Sequence, residues 1–210
     1  MANSAVTYFE YGGADAPIAE KEYRKYLGIR PGTCADPRLE ALIADCLREV
    51  REHLRVRGCR RICDVSVAEG DAPTVSLGFA EVQSSALAKN LLGCRRAVVF
   101  AATAGAEIDR LIAKYGRTST SRAVVIDAIS SAAAEGAAEA VCRAAEKEFG
   151  KLRPRFSPGF GDLPLSLQAD LLFYTDAGRR AGIRLTETMM LVPSKSTTAI
   201  AGIIKGGENQ

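Results

Sequence analysis

The 210-residue sequence predicts an α+β fold, and three observations carry that reading. Two helical patterns stand out, one opening at Asp36-Pro37 and a longer one over residues 119–149. Between them apolar residues alternate with period two, Cys63, Val65 and Val67 before the turn Gly70-Asp71-Ala72-Pro73 and Val75, Leu77 and Phe79 after it, which predicts a β-hairpin. A continuous apolar run, Ala97 to Ala101, and the alternating Thr198, Ile200, Gly202 and Ile204 near the end add strands, the terminal ones antiparallel.

Taken in order, residues 1–35 hold Gly12-Gly13, Pro17 and Pro31-Gly32 around a short helical patch, Glu20 to Leu27, closed by Gly28. They predict an arm docking on a body that spans 36–204. Asp36 supplies an N-cap and Pro37 a first-turn proline for a helix with Leu39, Leu42, Ile43, Cys46, Leu47, Val50 and Leu54 on one face. Gly58 is expected to stop it. Arg55, Arg57, Arg60 and Arg61 then read as a solvated helix end and loop, and His53 as a surface residue. Ser84 or Ser85 caps a helix carrying Leu87, Leu91 and Leu92 that closes at Gly93. The strand Ala97–Ala101 runs through Thr103-Ala104-Gly105 into a helix around Ile108, Leu111 and Ile112. Within 119–149, Ala128, Ala132, Gly136, Ala140 and Ala144 recur every four residues, a face of small side chains that admits a close neighbour. Pro164 opens a helix with Leu167, Leu171 and Leu172 ending near Gly178, and Ile183–Leu185 and Met189–Val192 form short strands. Residues 205–210 are expected to fray.

Composition narrows the function. Twenty-eight basic and 25 acidic residues spread along the chain leave a net charge of +3, with no electrostatic footprint for nucleic acid. No apolar run reaches the length that spans a bilayer, and the first residues do not resemble a signal peptide, so a cytoplasmic protein is expected. The six cysteines lack the density of a disulfide scaffold, contain no CxxC and share the chain with one histidine, which gives a metal site little support. No nucleophile elbow or acid–base constellation is visible.

The ligand-binding candidate is Arg155-Phe156-Ser157-Pro158-Gly159-Phe160-Gly161-Asp162-Leu163-Pro164. Two glycines and two prolines restrict this loop to a defined shape, and Arg155 offers a planar fork of donors that suits a carboxylate or phosphate. A rigid structural turn with a surface arginine accounts for the same residues. Glu135 and Glu139 present a carboxylate pair one turn apart on the long helix, which an exposed helix face also explains. The segment Val192 to Ile200, with Lys195 and Ser196, supplies a second loop that approaches the first across the sheet.

Arg155-x-x-x-Gly159-Phe160 within this loop, Gln168, and the later Leu185-Thr186-Glu187 and Pro193-Ser194-Lys195-Ser196 resemble the activation domain of cobalamin-dependent methionine synthase, most closely its short stand-alone relatives. The likeness is densest over 153–204 and fades back to about residue 90. It implies a single domain with a central, mainly antiparallel twisted sheet flanked by helices. It also implies S-adenosylmethionine (AdoMet) binding: Arg155 on the methionyl carboxylate, the backbone of Ser157, Pro158 and Gly159 on the adenosyl part, Phe160 lining the pocket, and Glu135 or Glu139 on the ammonium. The methyl group would pass to a corrinoid (cobalamin) cofactor on a separate protein, a split methionine synthase or another corrinoid methyltransferase, re-reduced by a flavodoxin- or ferredoxin-type donor. A methyl sulfonium and a reduced corrinoid need only be brought together, so no catalytic side chain is implied. The resembled pattern usually has Tyr at the position of Phe160. A docking or scaffold subunit for a corrinoid protein that has lost the ligand is the alternative.

Overall fold

The computed structural model describes residues 5–68, 70 and 72–204; Asp71 of the hairpin turn and the tail 205–210 lie outside the described residues. Strand β1 (Thr7–Gly12) and helix α1 (Glu20–Tyr26) precede α2 (Pro37–His53) and β2 (Arg55–Asp64). Short strands β3 (Ser66–Ala68), β4 (Thr74–Ser76) and β5 (Glu81–Gln83) lead to α3 (Ser85–Leu91), β6 (Arg96–Thr103), α4 (Ala106–Thr118) and α5 (Thr120–Phe149). Helices α6 (Leu167–Tyr174) and α7 (Ala177–Ala181) then precede β7 (Arg184–Leu185), β8 (Leu191–Val192) and β9 (Ser196–Gly202).

The main sheet has the order β1-β2-β6-β9, every pairing antiparallel. Its strands alternate sides, so Val98 and Phe100 of β6 pack with Ala138, Val141 and Ala145 of α5, while Ala97 and Val99 pack with Leu87, Leu91, Leu167 and Leu171 of α3 and α6. Three layers result. Helices α1, α2, α4 and α5 cover one face; α3, α6, α7 and the small β3-β4-β5 sheet cover the other. Beyond β9 the chain adds a further edge, where Phe156 and Ile200 exchange backbone hydrogen bonds of 2.8 and 2.9 Å and Leu152 bridges Ile203.

Helix boundaries follow local chemistry. The Asp36 carboxylate accepts from the Arg38 amide at 2.8 Å with Pro37 behind it, and the Ser84 hydroxyl accepts from Leu87 N at 3.0 Å. The small-residue face on α5 is buried at Ala128 and Ala132. At Gly136 an added Cβ would lie 1.8 Å from the Pro17 carbonyl, so the N-terminal segment crosses the helix where a side chain cannot fit.

Several expectations need correction. Helix α2 ends at His53 rather than at Gly58, because Gly58 sits inside β2 beneath Phe9, whose ring would be 2.0 Å from an added Cβ. Arg55, Arg57, Arg60 and Arg61 are therefore strand residues, not a helix end and loop. The predicted hairpin is shorter, pairing Val67 with Val75, with Cys63 in the main sheet and β5 added as a third strand. Residues 7–12 of the N-terminal segment do more than dock: as β1 they form an edge of the main sheet. The segment after Pro164 makes one turn before α6 begins at Leu167, and α7 follows as a separate helix.

Candidate functional site

The site is built where the edge segment 151–156 meets α5. Adjacent extended residues point to opposite faces, so Phe156 turns toward α3 and α6 while Arg155 turns toward α5. There Arg155 forms an ion pair through Nη2 with Glu135, the two side chains 31% and 45% exposed. Its other terminal nitrogen, Nη1, is enclosed and has no hydrogen-bond partner among the described residues. Leaving a buried donor without a partner costs about 1–3 kcal/mol.

Around this pair lies a cleft of about 690 Å³ between α1 and α5, lined by both predicted carboxylates, Glu135 and Glu139, and by Arg155. Helix α1 contributes Lys21, Glu22, Lys25 and Tyr26, and α5 adds Arg143. Both signs of charge thus line one concavity. Glu139 is exposed and forms no ion pair among the described residues. The Tyr26 phenol is pushed above its ordinary pKa, first by burial and then by the negative charge of Glu135, so it remains a hydroxyl donor at neutral pH.

Ser157, Pro158, Gly159 and Phe160 do not line this cleft. They form a tight turn in which Gly159 N donates to Leu163 O at 2.9 Å and Phe160 N to Ser157 O at 3.2 Å, with Gly159 at φ +88°. Phe160 projects outward, 65% exposed. Asp162 locks the turn onto α3: it accepts from the Ser84 hydroxyl, from Ser85 N at 2.7 Å and from Ala86 N at 3.1 Å. Those donors, the Ser84 hydroxyl foremost, hold its carboxyl below the usual range.

The second predicted loop lands on the same row of α5. Lys195 Nζ sits 2.7 Å from Asp127 and 3.0 Å from the Ser131 hydroxyl, while Arg155 meets Glu135, two turns or about 12 Å further along. Ser194 is held by Asp109 at 2.7 and 2.9 Å, and the Ser196 hydroxyl by Thr103 at 2.8 Å and Pro193 O at 2.6 Å. Gln168 is buried, donating to Met189 O at 2.8 Å. Cys59 and Cys63 are buried in β2, where desolvation pushes their thiols up to about 11 and about 12, so neither is a reactive thiolate. Among the described residues no group of three or more His, Cys, Asp or Glu side chains is placed so that it could hold a metal ion, and no helix is long and apolar enough to cross a membrane.

Tyr26, Lys21, Lys25 and Arg143 escaped the sequence reading. The first three reach the cleft only because Pro17 crosses α5 at Gly136, and the glycine in the alanine stripe was the one signal of that crossing.

Sheet order, helical layers and the edge loop carrying Arg155 together define an α+β fold of the methionine synthase activation-domain type. No protein-family model matches the sequence, and no curated protein does. Among solved structures, the crystal structure of the MetH reactivation domain bound to AdoHcy is similar to this chain with a TM-score of 0.70 and 14% sequence identity, over 99% of this chain and 81% of that one.

Proposed function

We propose that this chain binds AdoMet in the α1–α5 cleft and supports the reductive remethylation of a corrinoid carried by a separate protein. The observation that carries the reading is the mixed charge of the cleft. A zwitterionic amino-acid end needs a cation and an anion side by side, and Arg155 stands beside Glu135 and Glu139, the Nη1 of Arg155 and the carboxylate of Glu139 having no hydrogen-bond or ion-pair partner, respectively, among the described residues. The carboxylate takes Arg155, the ammonium takes Glu139 or Glu135, and the Tyr26 hydroxyl is within the same lining. The similar solved domain binds AdoHcy, the demethylated form of AdoMet, which favours the same ligand class here.

The work of these residues is to bind and orient. The sulfonium methyl is electrophilic without help and the partner's reduced corrinoid supplies the acceptor, so no side chain here has to move a proton. The partner is a corrinoid protein, a split methionine synthase or another corrinoid methyltransferase, and the electron donor is of flavodoxin or ferredoxin type. Calorimetric titration with AdoMet, with AdoHcy and ATP as controls, tests the binding step. Saturation by AdoMet and AdoHcy but not ATP is expected, and heat of dilution alone up to millimolar ligand would overturn it. Retention of a corrinoid protein in a pull-down, followed by methyl transfer to its reduced cofactor, tests the second step; no retention in any cobalt oxidation state contradicts it.

A scaffold subunit without ligand is the competing reading. Phe160, exposed and lacking a hydroxyl, and the existing Arg155–Glu135 pair favour it. The enclosed, unsatisfied Nη1 of Arg155 opposes it.

A further inference from the structure

One wall of the α1–α5 cleft is helix α1, which cannot hold its own place. It has seven residues, and its N-cap Ala19 makes no side-chain hydrogen bond. Two uncapped helical turns are not stable alone, so contacts with the rest of the molecule must fix both the helix and its orientation. Tyr23 supplies the first contact, buried in the core cluster that includes residues of α2, α4 and α5. A single buried side chain sets where a short helix lies but leaves it free to roll about its axis.

Arg24 supplies the second contact. It stands one residue on from Tyr23, about 100° around the axis, and its guanidinium meets Glu40 of α2 through both terminal nitrogens. Nη1 donates to Oε1 and Nη2 to Oε2, each at 2.9 Å. Its Nε donates to Glu20, one turn back on α1, at 2.6 Å, which fixes the direction of the fork. Glu40 is itself held: it lies in the first turn of α2, where a carboxylate is favoured, and also accepts from Ala35 N at 2.9 Å. Helix α2 is capped by Asp36 and buried at Ile43, Cys46 and Val50, so the fork is tied to a rigid base.

We propose that Arg24 is a positioning residue for the ligand, locking α1 to α2 and so setting the angle at which Lys21, Glu22, Lys25 and Tyr26 face α5. Those four residues line the cleft, whereas Arg24 lies outside its described lining. Tyr26, two positions on, is within electrostatic reach of both Glu135 and Arg155. A roll of α1 therefore carries its hydroxyl away from the pair assigned to the amino-acid end, and binding groups work only when held within about 0.5 Å and 10–20° of their productive geometry. The inference rests on the AdoMet reading of this cleft and adds that an arginine–carboxylate pair outside the cleft governs its affinity.

Amide exchange and calorimetry on the full chain test the two halves separately. Arg24→Gln and Glu40→Gln cut the same pair from either side. In both, the amides of residues 20–27 should exchange several-fold faster without ligand, while those of α5 and the main sheet keep wild-type rates. Both should bind AdoMet about three- to fivefold more weakly, since the competent orientation is occupied for a smaller share of the time, and the double variant should lose no more than either single one. A double-mutant cycle separates positioning from general destabilisation: Tyr26→Phe should weaken AdoMet less in the Arg24→Gln background than in the wild type, because the hydroxyl is no longer held in place. Arg110→Gln, which breaks an exposed ion pair with Glu107 on α4, is the control and should change neither readout. Unchanged exchange over residues 20–27 would overturn the proposal whether or not AdoMet binds. So would wild-type AdoMet affinity in both variants, or additive effects of Arg24→Gln and Tyr26→Phe. Failure of the wild type to bind AdoMet would instead sink the functional reading, and the ligand role of Arg24 with it, while faster exchange in the variants would still show that the pair holds α1.

Discussion

The two Gly/Pro/Ser-rich loops differ in one respect that their sequences conceal. Around Lys195 the side chains of three successive residues have partners: Lys195 holds Asp127 and Ser131, Ser194 holds Asp109, and Ser196 holds Thr103 and Pro193. The Arg155 loop satisfies its own backbone and pins Asp162 on α3, yet leaves Arg155 half-engaged and Phe160 in solvent. A satisfied loop is architecture, and an incompletely satisfied one has capacity for a ligand.

Substitutions at corresponding places in the two loops sharpen that contrast. Arg155→Ala removes the donor with spare capacity and should weaken AdoMet binding at least tenfold, the loss of a charge-assisted contact of roughly 1.5–3 kcal/mol. Lys195→Ala breaks an ion pair between a largely buried ammonium and a half-exposed carboxylate, so its cost should appear as roughly 1–3 kcal/mol of stability with AdoMet affinity nearly unchanged; a tenfold affinity loss there would erase the distinction. Glu139→Gln should weaken AdoMet several-fold while leaving thermal stability intact, since its carboxylate has no ion-pair partner among the described residues.

Smaller effects probe the edges of the cleft and the turn. Tyr26→Phe should cost the ligand about 0.5–1.5 kcal/mol if the phenol donates to it, readable as a modest rise in Kd. Asp162→Asn should lower the melting temperature through the weakened α3 cap. Because the folded Asp162 carboxyl titrates below its unfolded value, its contribution is present above about pH 4 and disappears as pH falls through the folded pKa. Melting curves between about pH 2 and pH 6 should therefore converge for wild type and Asp162→Asn at the acid end; a constant gap would show that Asp162 acts otherwise.

Much of the fold was legible because its signals are local. The Asp36-Pro37 cap, the Ser84 cap and the apolar run of β6 each announce themselves within a few residues. Gly58 misled because a glycine reads as a helix stop, whereas here it clears space for Phe9 from a strand 49 residues earlier in the chain. Arg60 and Arg61 misled for the same reason: once the helix was drawn to Gly58, they could only be its solvated end. At the candidate site, Arg155, Glu135 and Glu139 were named from the sequence and do meet in one cleft. The α1 wall was illegible, since nothing near Lys21, Lys25 or Tyr26 records that Pro17 will cross α5.

The most direct test is calorimetric titration of AdoMet into the wild-type protein, Arg155→Ala and Lys195→Ala in parallel. The account predicts saturable binding by the wild type and by Lys195→Ala, and at least tenfold weaker binding by Arg155→Ala. Equal affinity in all three, or no binding by the wild type, would contradict the claim that the half-engaged arginine marks the ligand site.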